Sequence, residues 1–310
     1  MTAVLTALGT LGTVVLAGYV LGRVRVLGPE ATQVLAKVVF TVAIPALLVV
    51  TVGGTDLHVV LSRTAAATVL STTVLVVLVV LVLGALWRRP AADAAVTTLA
   101  ASYVNSVHLG LPLAMYLFGD AVVVVPTMLF QQLLLAPVAF VVLEAARAPG
   151  RGRGEVLRAT GARMLRNPIV LATTTGLLLA ALPWRVPDVV AGPFELVGAA
   201  AAPMALLVFG ASLAGRRADG ARAPRREVWF ATLAKSLLHP ALALLAGRVL
   251  GLADAELLVV AGMAALPTAQ NVLVYALAYR RGEAVARDVG LWSTLLLAPV
   301  LLVLAALLGG

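Results

Sequence analysis

The sequence predicts an all-α membrane protein: ten transmembrane helices forming two five-helix inverted repeats, with spans four and nine broken at prolines. Three observations carry this expectation. The first is composition, since 62% of the 310 residues are hydrophobic and only 12% charged, where a soluble domain carries about 25% charged residues. Too few polar side chains exist to coat a water-facing surface, so a soluble globular domain, a coiled coil and a disordered chain are all excluded. The second is length: the apolar runs are close to the ~20 residues a helix needs to cross the hydrocarbon core. The third is a pattern of prolines and polar residues that occurs once in each half.

Ten runs appear in order, near 3–22, 33–52, 65–87, 94–118, 121–143, 167–183, 194–214, 228–250, 255–279 and 289–308. The first has no basic residue before it and no small-residue cleavage site, so it is read as a retained helix and not a signal peptide. Its Gly18-Tyr19-Val20-Leu21-Gly22 is a GxxxG, a pattern that allows close helix contact. Loops between the runs carry the basic residues unevenly: 18 arginines lie in odd-numbered loops and only Arg63, Arg185 and Arg248 in even-numbered ones. The positive-inside rule then places the odd loops in the cytoplasm and both termini outside. The formal net charge of +9 does not mark a nucleic-acid binder, because these arginines sit in short loops and not on one patch. Cysteine is absent, which removes disulfides and thiolate metal sites; no cofactor is expected.

The halves echo each other. Span two carries Ala43-Ile44-Pro45-Ala46-Leu47-Leu48 and span seven Ala202-Pro203-Met204-Ala205-Leu206-Leu207; span four carries Leu111-Pro112 and span nine Leu266-Pro267. Five spans per half is an odd number, so the second half enters the membrane upside down, as in secondary transporters. The expected organisation is a first repeat over 1–143, a cytoplasmic connection over 144–166 and a second, inverted repeat over 167–310. Pro112 and Pro267 are the expected break points, because a mid-span proline removes a backbone hydrogen bond and clashes with the preceding turn. Around them gather Ser102, Asn105, Ser106 and His108, and Thr268, Gln270 and Asn271. An opened half-helix presents free N–H groups that favour an anion. The plainer alternative is a proline kink whose polar residues bond a neighbouring helix.

The segments Asn105-Ser106-Val107-His108-Leu109-Gly110-Leu111-Pro112-Leu113 and Leu266-Pro267-Thr268-Ala269-Gln270-Asn271 resemble those of the auxin efflux carrier family, which includes PIN exporters and bacterial organic-acid permeases. Supporting segments run from Lys37 to Pro45, from Pro203 to Leu213 and from Ser293 to Leu296. The resemblance implies that spans four and nine cross at their prolines, with a scaffold of spans one, two, six and seven and a moving domain from the rest, that is, an elevator-type mechanism. It implies carboxylate substrates contacted by Asn105 and Asn271, and a homodimer through the scaffold.

Other candidates follow from cost. An ionisable group inside a span is expensive and by default suggests function. His108 shares a helix face with Asn105; it binds carboxylate as imidazolium, carries a coupling proton, or is a neutral histidine bonded to backbone. Lys235 is read as snorkelling or structurally paired, and His239 as a polar packer. Gln131 and Gln132 lie at mid-depth of span five, next to the crossover, and Thr294 is a weaker candidate. The expected substrate contacts are thus Asn105, His108, Pro112, Pro267, Thr268, Gln270, Asn271, Gln131 and Gln132. No intramembrane Asp pair exists for ion exchange, and no HExxH, GxSxG or Asp-rich motif marks an intramembrane enzyme. The expectation is a multi-pass protein of the bacterial inner membrane that exports small organic carboxylates or equilibrates them as a uniporter. The alternatives are a sodium- or proton-coupled symporter of bile-acid type, or a malate/malonate importer. Its partners are the carboxylate and the bilayer, not nucleic acid.

Overall fold

The computed structural model describes residues 2–24, 30–54, 62–147, 165–182, 186–214 and 224–308, with a few positions between 154 and 162. Its helices are α1 (Thr2–Val24), α2 (31–53), α3 (Arg63–Leu86), α4 (Ala91–Ser102), α5 (Ser106–Phe118), α6 (121–147), α7 (Pro168–Ala181), α8 (Asp188–Ala199), α9 (Ala201–Ala214), α10 (Arg225–Val249), α11 (Asp254–Ala265), α12 (Gln270–Tyr279) and α13 (Glu283–Leu308). Every apolar run read from the sequence carries helix. Among the described residues, six stretches are long and apolar enough to cross a membrane, in α2, α3, α6, α8–α9, α10 and α13, and α1, α5 and α7 hold shorter apolar helices. Large apolar side chains such as Leu16, Val77, Val138, Leu196 and Val303 face outward, which suits a lipid-facing surface. Most of the connection 144–166, and Arg25, Arg185, Arg216, Arg217 and Arg222 of the loop arginines, lie outside the described residues.

Helix starts are set by side chains that accept otherwise orphaned N–H groups. Ser62 Oγ accepts from Ala65 N at 3.1 Å, and Asn167 Oδ1 from Ile169 N at 2.9 Å. Four prolines inside helices share one device. The π turns Val39–Ala43, Ser106–Gly110, Gln131–Leu135 and Ala234–Leu238 each end two residues before a proline, namely Pro45, Pro112, Pro137 and Pro240. A proline lacks the N–H for the carbonyl four residues back and its ring presses on that carbonyl; widening the turn to i→i−5 removes the clash without ending the helix.

This corrects one expectation. The chain does not break at Pro112, which rides inside α5 behind a widened turn in which Leu111 N reaches Ser106 O. The interruption lies earlier, at Tyr103–Asn105, whereas Pro267 does sit in the second interruption, at 266–269.

Two groups of helices pack closely. In one, α1 runs along α9, while α7 and α8 lie on α2. Small residues set these distances: a Cβ on Gly18 would stand 2.2 Å from Leu207 O, one on Gly210 1.9 Å from Val15 O, and one on Gly176 2.8 Å from Val52 Cβ. The Gly18/Gly22 pair is therefore used inside the chain, against α9. In the other group α3 packs on α4 and α10, α10 on α11, α4 on α6, and α11 and α12 on α13. Its odd-loop end is fastened by an Arg89–Glu227 ion pair and by Arg226, 4.0 Å above the Trp87 ring. Between the groups, α5 lies against α9 and α13 touches α1.

Overpacking a tight helix contact costs about 1–3 kcal/mol. Gly210→Ala should therefore lower the unfolding midpoint of the detergent-solubilised protein by several degrees. Gly12→Ala, with no atom within 4 Å of the new methyl, should leave it unchanged or slightly raised.

Candidate functional site

The two interruptions pair with each other. Val104 and Thr268 form an isolated antiparallel bridge, in which Asn105 N donates to Pro267 O at 2.8 Å and Ala269 N donates to Tyr103 O at 3.0 Å. Gly110 permits the approach, since a Cβ there would lie 2.9 Å from Leu266 Cδ1. The site is thus four helix ends, α4 and α11 arriving and α5 and α12 leaving, tied by two peptide hydrogen bonds.

Side chains from other helices satisfy the groups these breaks release. In an unbroken helix Val104 N would donate to Ala100 O. Here Val104 N donates to Gln131 Oε1, and Ala100 O accepts from Thr268 Oγ1 at 2.6 Å. Gln131 Nε2 returns a bond to Val104 O at 3.2 Å and another to Ser106 Oγ at 3.1 Å. The Gln131 amide mimics a neighbouring strand. At the second break Thr268 N donates to Ser293 Oγ at 3.1 Å, and Ala264 O, in the last turn of α11, accepts from Lys235 Nζ at 2.6 Å.

Asn105 is the N-cap of α5. Its Oδ1 accepts from His108 N at 3.2 Å, while its Nδ2, buried in a residue 1% exposed, has no hydrogen-bond partner. A buried amide N–H without an acceptor costs about 1–3 kcal/mol, which sets this donor apart from the spent polar groups around it. His108, three residues on from Asn105, is buried in the first turn of α5. Asn271 lies in the first turn of α12, half-buried, beside the Tyr103 hydroxyl, and Tyr103 packs edge-on to Tyr275 with ring centroids 6.4 Å apart. Gln270 opens the same helix.

The remaining expected contacts are placed differently. Both Gln131 and Thr268 spend their polar atoms on backbone, which makes them builders of the site. Gln132 lies off the break, accepting from Asn167 Nδ2 at 3.3 Å at the start of α7. Pro267 contributes its carbonyl, and Pro112 is buried in α5. Thr294 bonds its own helix through Gly290 O at 2.7 Å. Lys235 does not snorkel: it is fully buried, and its Nζ lies 2.9 Å from His239 Nδ1. Ser293, Thr72 and Tyr103, none of them expected as site residues, stand next to these groups; they carry no local motif, and the partners of Ser293 and Thr72 lie 25 and 167 residues away, while Tyr103 pairs with Ala269 across the two breaks.

Comparison with known proteins accords with this picture. A family model described as "Membrane transport protein" matches residues 3–152 and 141–305. A protein of Rhizobium meliloti (strain 1021) named "Putative malonate transporter" is 30% identical over 261 residues, covering 83% of this chain and 81% of that one.

Because Gln131 serves the backbone, Gln131→Leu should destabilise the protein with or without any ligand. It leaves the buried Val104 N–H unpaired, at a cost of about 1–3 kcal/mol, while Val104 O keeps its bond from Ser106 N, so a fall of several degrees in the midpoint of the ligand-free protein is expected. An unchanged midpoint would show that the amide is not needed to hold Val104.

Proposed function

The chain belongs to the membrane transport protein family, the auxin efflux carriers, and from that premise we propose that it is a secondary transporter of small organic carboxylate anions. It works by elevator-type alternating access, and the anion binds where the two helix breaks meet. The observation that carries this reading is the unpartnered, buried Asn105 Nδ2 at the start of α5. A neutral amide donor at a helix N-terminus is suited to an oxyanion, since the dipole and the free N–H groups favour negative charge there. Asn271, in the first turn of α12, supplies the second amide. The name of the Rhizobium relative supports a short dicarboxylate such as malonate as the first substrate to try.

The arrangement as ten spans in two inverted five-helix repeats draws support from paired features. The α1–α9 contact has its counterpart in α7–α2. Each break is held by a polar side chain about one span later, Gln131 for Val104 and Ser293 for Thr268. Positive φ angles occur in equivalent turns, at Arg88 and Gly251, and at Gly119 and Gly282. The α1, α2, α7, α8 and α9 group is the scaffold, and also the surface for a homodimer; the group bearing both breaks is the moving body. Under the positive-inside reading both termini lie outside a bacterial inner membrane.

An anion leaving a negative-inside cell gains about 2.3 kcal/mol per charge per 100 mV, so efflux by uniport needs no coupling ion. A sodium-coupled version of the site is disfavoured by Lys235, whose Nζ already takes the Ala264 carbonyl that a coupling cation would seek.

A thermal-shift screen of purified protein against mono- and dicarboxylates, malonate included, tests the reading. A binding acid at 100 times its Kd stabilises by about 2.7 kcal/mol. That stabilisation should be selective and should vanish in Asn105→Ala and in Asn271→Ala. If it survives both substitutions, the anion binds elsewhere and the site assignment fails.

A further inference from the structure

We propose that Lys235 and His239 form a proton-binding site, filled from the face of the even-numbered loops through a hydroxyl-lined passage, and that its proton travels with the carboxylate. The inference rests on the carboxylate-transporter reading above and adds to it the coupling ion.

The geometry is a chain of hydrogen bonds at mid-depth of α10. Lys235 Nζ donates to Ala264 O at 2.6 Å and meets His239 Nδ1 at 2.9 Å, and His239 Nε2 meets Thr72 Oγ1 of α3 at 3.0 Å. Lys235 and His239 are 0% and 2% exposed. Two basic groups in contact without a carboxylate cannot both be charged. An ammonium can only donate, so it requires Nδ1 as acceptor and leaves the imidazole neutral with its proton on Nε2. The pair is therefore built to hold one positive charge, or none.

A route reaches it. Beside His239 lies a cavity of about 10 Å³, bounded by Thr68, Ser71, Thr72, Ser102, Thr127 and Gln131 among others, which is room for about one water. Thr127 Oγ1 points there with no partner. A second cavity of about 140 Å³ shares Thr68, Val260 and Met263 with the first and extends past Thr64 and Pro126 to Glu256. Those last three residues stand at the starts of α3, α6 and α11, the ends joined by even-numbered loops. The first cavity also touches Val104, so the proton site backs directly onto the break.

The other titratable groups of the surrounding elements stand away from the pair. Arg63 of α3, Asp93 of α4, Glu144 of α6, Asp254 and Glu256 of α11, and Glu283, Arg287 and Asp288 of α13 are near helix ends; on α10 itself Arg225, Arg226, Glu227 and Arg248 are terminal. Tyr103 of α4 turns its hydroxyl toward Tyr275 and Asn271. The step is a proton relay. A proton from the cavity adds to His239 Nε2 while the proton on Nδ1 passes to the lone pair of the neutral Lys235 amine, leaving imidazole and an ammonium. One N–H bond forms at each end and one breaks at Nδ1. The new charge sits beside the crossing and offsets that of a bound carboxylate.

The test uses the full chain in proteoliposomes, with labelled malonate inside and out and a trapped pH dye. Two readouts are taken: malonate exchange at equal pH, and net uptake under an outside-acid gradient of two units, about a hundred-fold in protons. Wild type should exchange, and the gradient should raise net uptake about ten-fold with proton entry. In Lys235→Gln and His239→Gln the ratio of gradient-driven uptake to exchange should fall by about the same factor. Thr72→Val gives a third reading should either variant fail to fold. Exchange without any response to the gradient overturns the proton site alone. Coupling that persists in the folded variants moves the site elsewhere. Absence of exchange with malonate and with every acid of the panel overturns the carboxylate reading, and the coupling with it.

Discussion

A helix that stops and restarts inside the hydrocarbon exposes peptide groups that no water can reach, and each left unpaired costs several kcal/mol. The structure around Val104 and Thr268 is organised by that constraint. Two peptide hydrogen bonds join the breaks, and Gln131, Thr268, Ser293 and Lys235 take groups the breaks release. These four come from α6, the second break itself, α13 and α10. Moving α4, α6, α10, α11 or α13 alone would reopen one of these bonds, so the two breaks tie these helices together.

The same accounting separates builders from binders. Polar side chains at the crossing are scarce, and most are spent: Gln131 on both sides of Val104, Thr268 on Ala100, the Asn105 carbonyl oxygen on His108. Left over among the described residues are the Asn105 amide N–H, the Tyr103 hydroxyl and, just behind the break, Thr127 Oγ1. A transporter site has to release its cargo as well as hold it. A bidentate arginine would bind a carboxylate strongly in so dry a setting, whereas neutral amides and two helix ends offer a weaker hold that a change of access can undo.

Much of this was legible in the sequence, because length and hydropathy alone define apolar helices, and because polar residues in so apolar a chain mark the places where a helix cannot be ordinary. The clusters Ser102–His108 and Thr268–Asn271 therefore located both breaks. Their boundaries were less legible. The rule that proline breaks a helix pointed to Pro112, yet a widened turn lets α5 carry it, and the true interruption at Tyr103–Asn105 has no proline. The roles of Gln131, Ser293 and Lys235 could not be read at all, since each depends on a partner 25 or more residues away. The GxxxG of α1 named a close contact without naming the partner, which is Leu207, Gly210 and Ala211 of the same chain.

The capping pattern also bears on the sign of the cargo. Four helix ends meet at the crossing: α4 and α11 bring their carbonyl ends, and α5 and α12 their N–H ends, so the dipoles alone would nearly cancel. The balance is tipped by what covers the carbonyls. Thr268 Oγ1 donates to Ala100 O, and Lys235 donates to Ala264 O, whereas at the start of α5 the Asn105 amide adds an unpaired donor. On the carboxylate reading proposed above, these covered carbonyls and the unpaired amide N–H at the start of α5 are what suit the crossing to an anion. A cation would find its carbonyl ligands occupied and an amine where a carboxylate would be needed. The hydrogen bonds that make a broken helix tolerable in the membrane are thus the ones that set which charge it accepts.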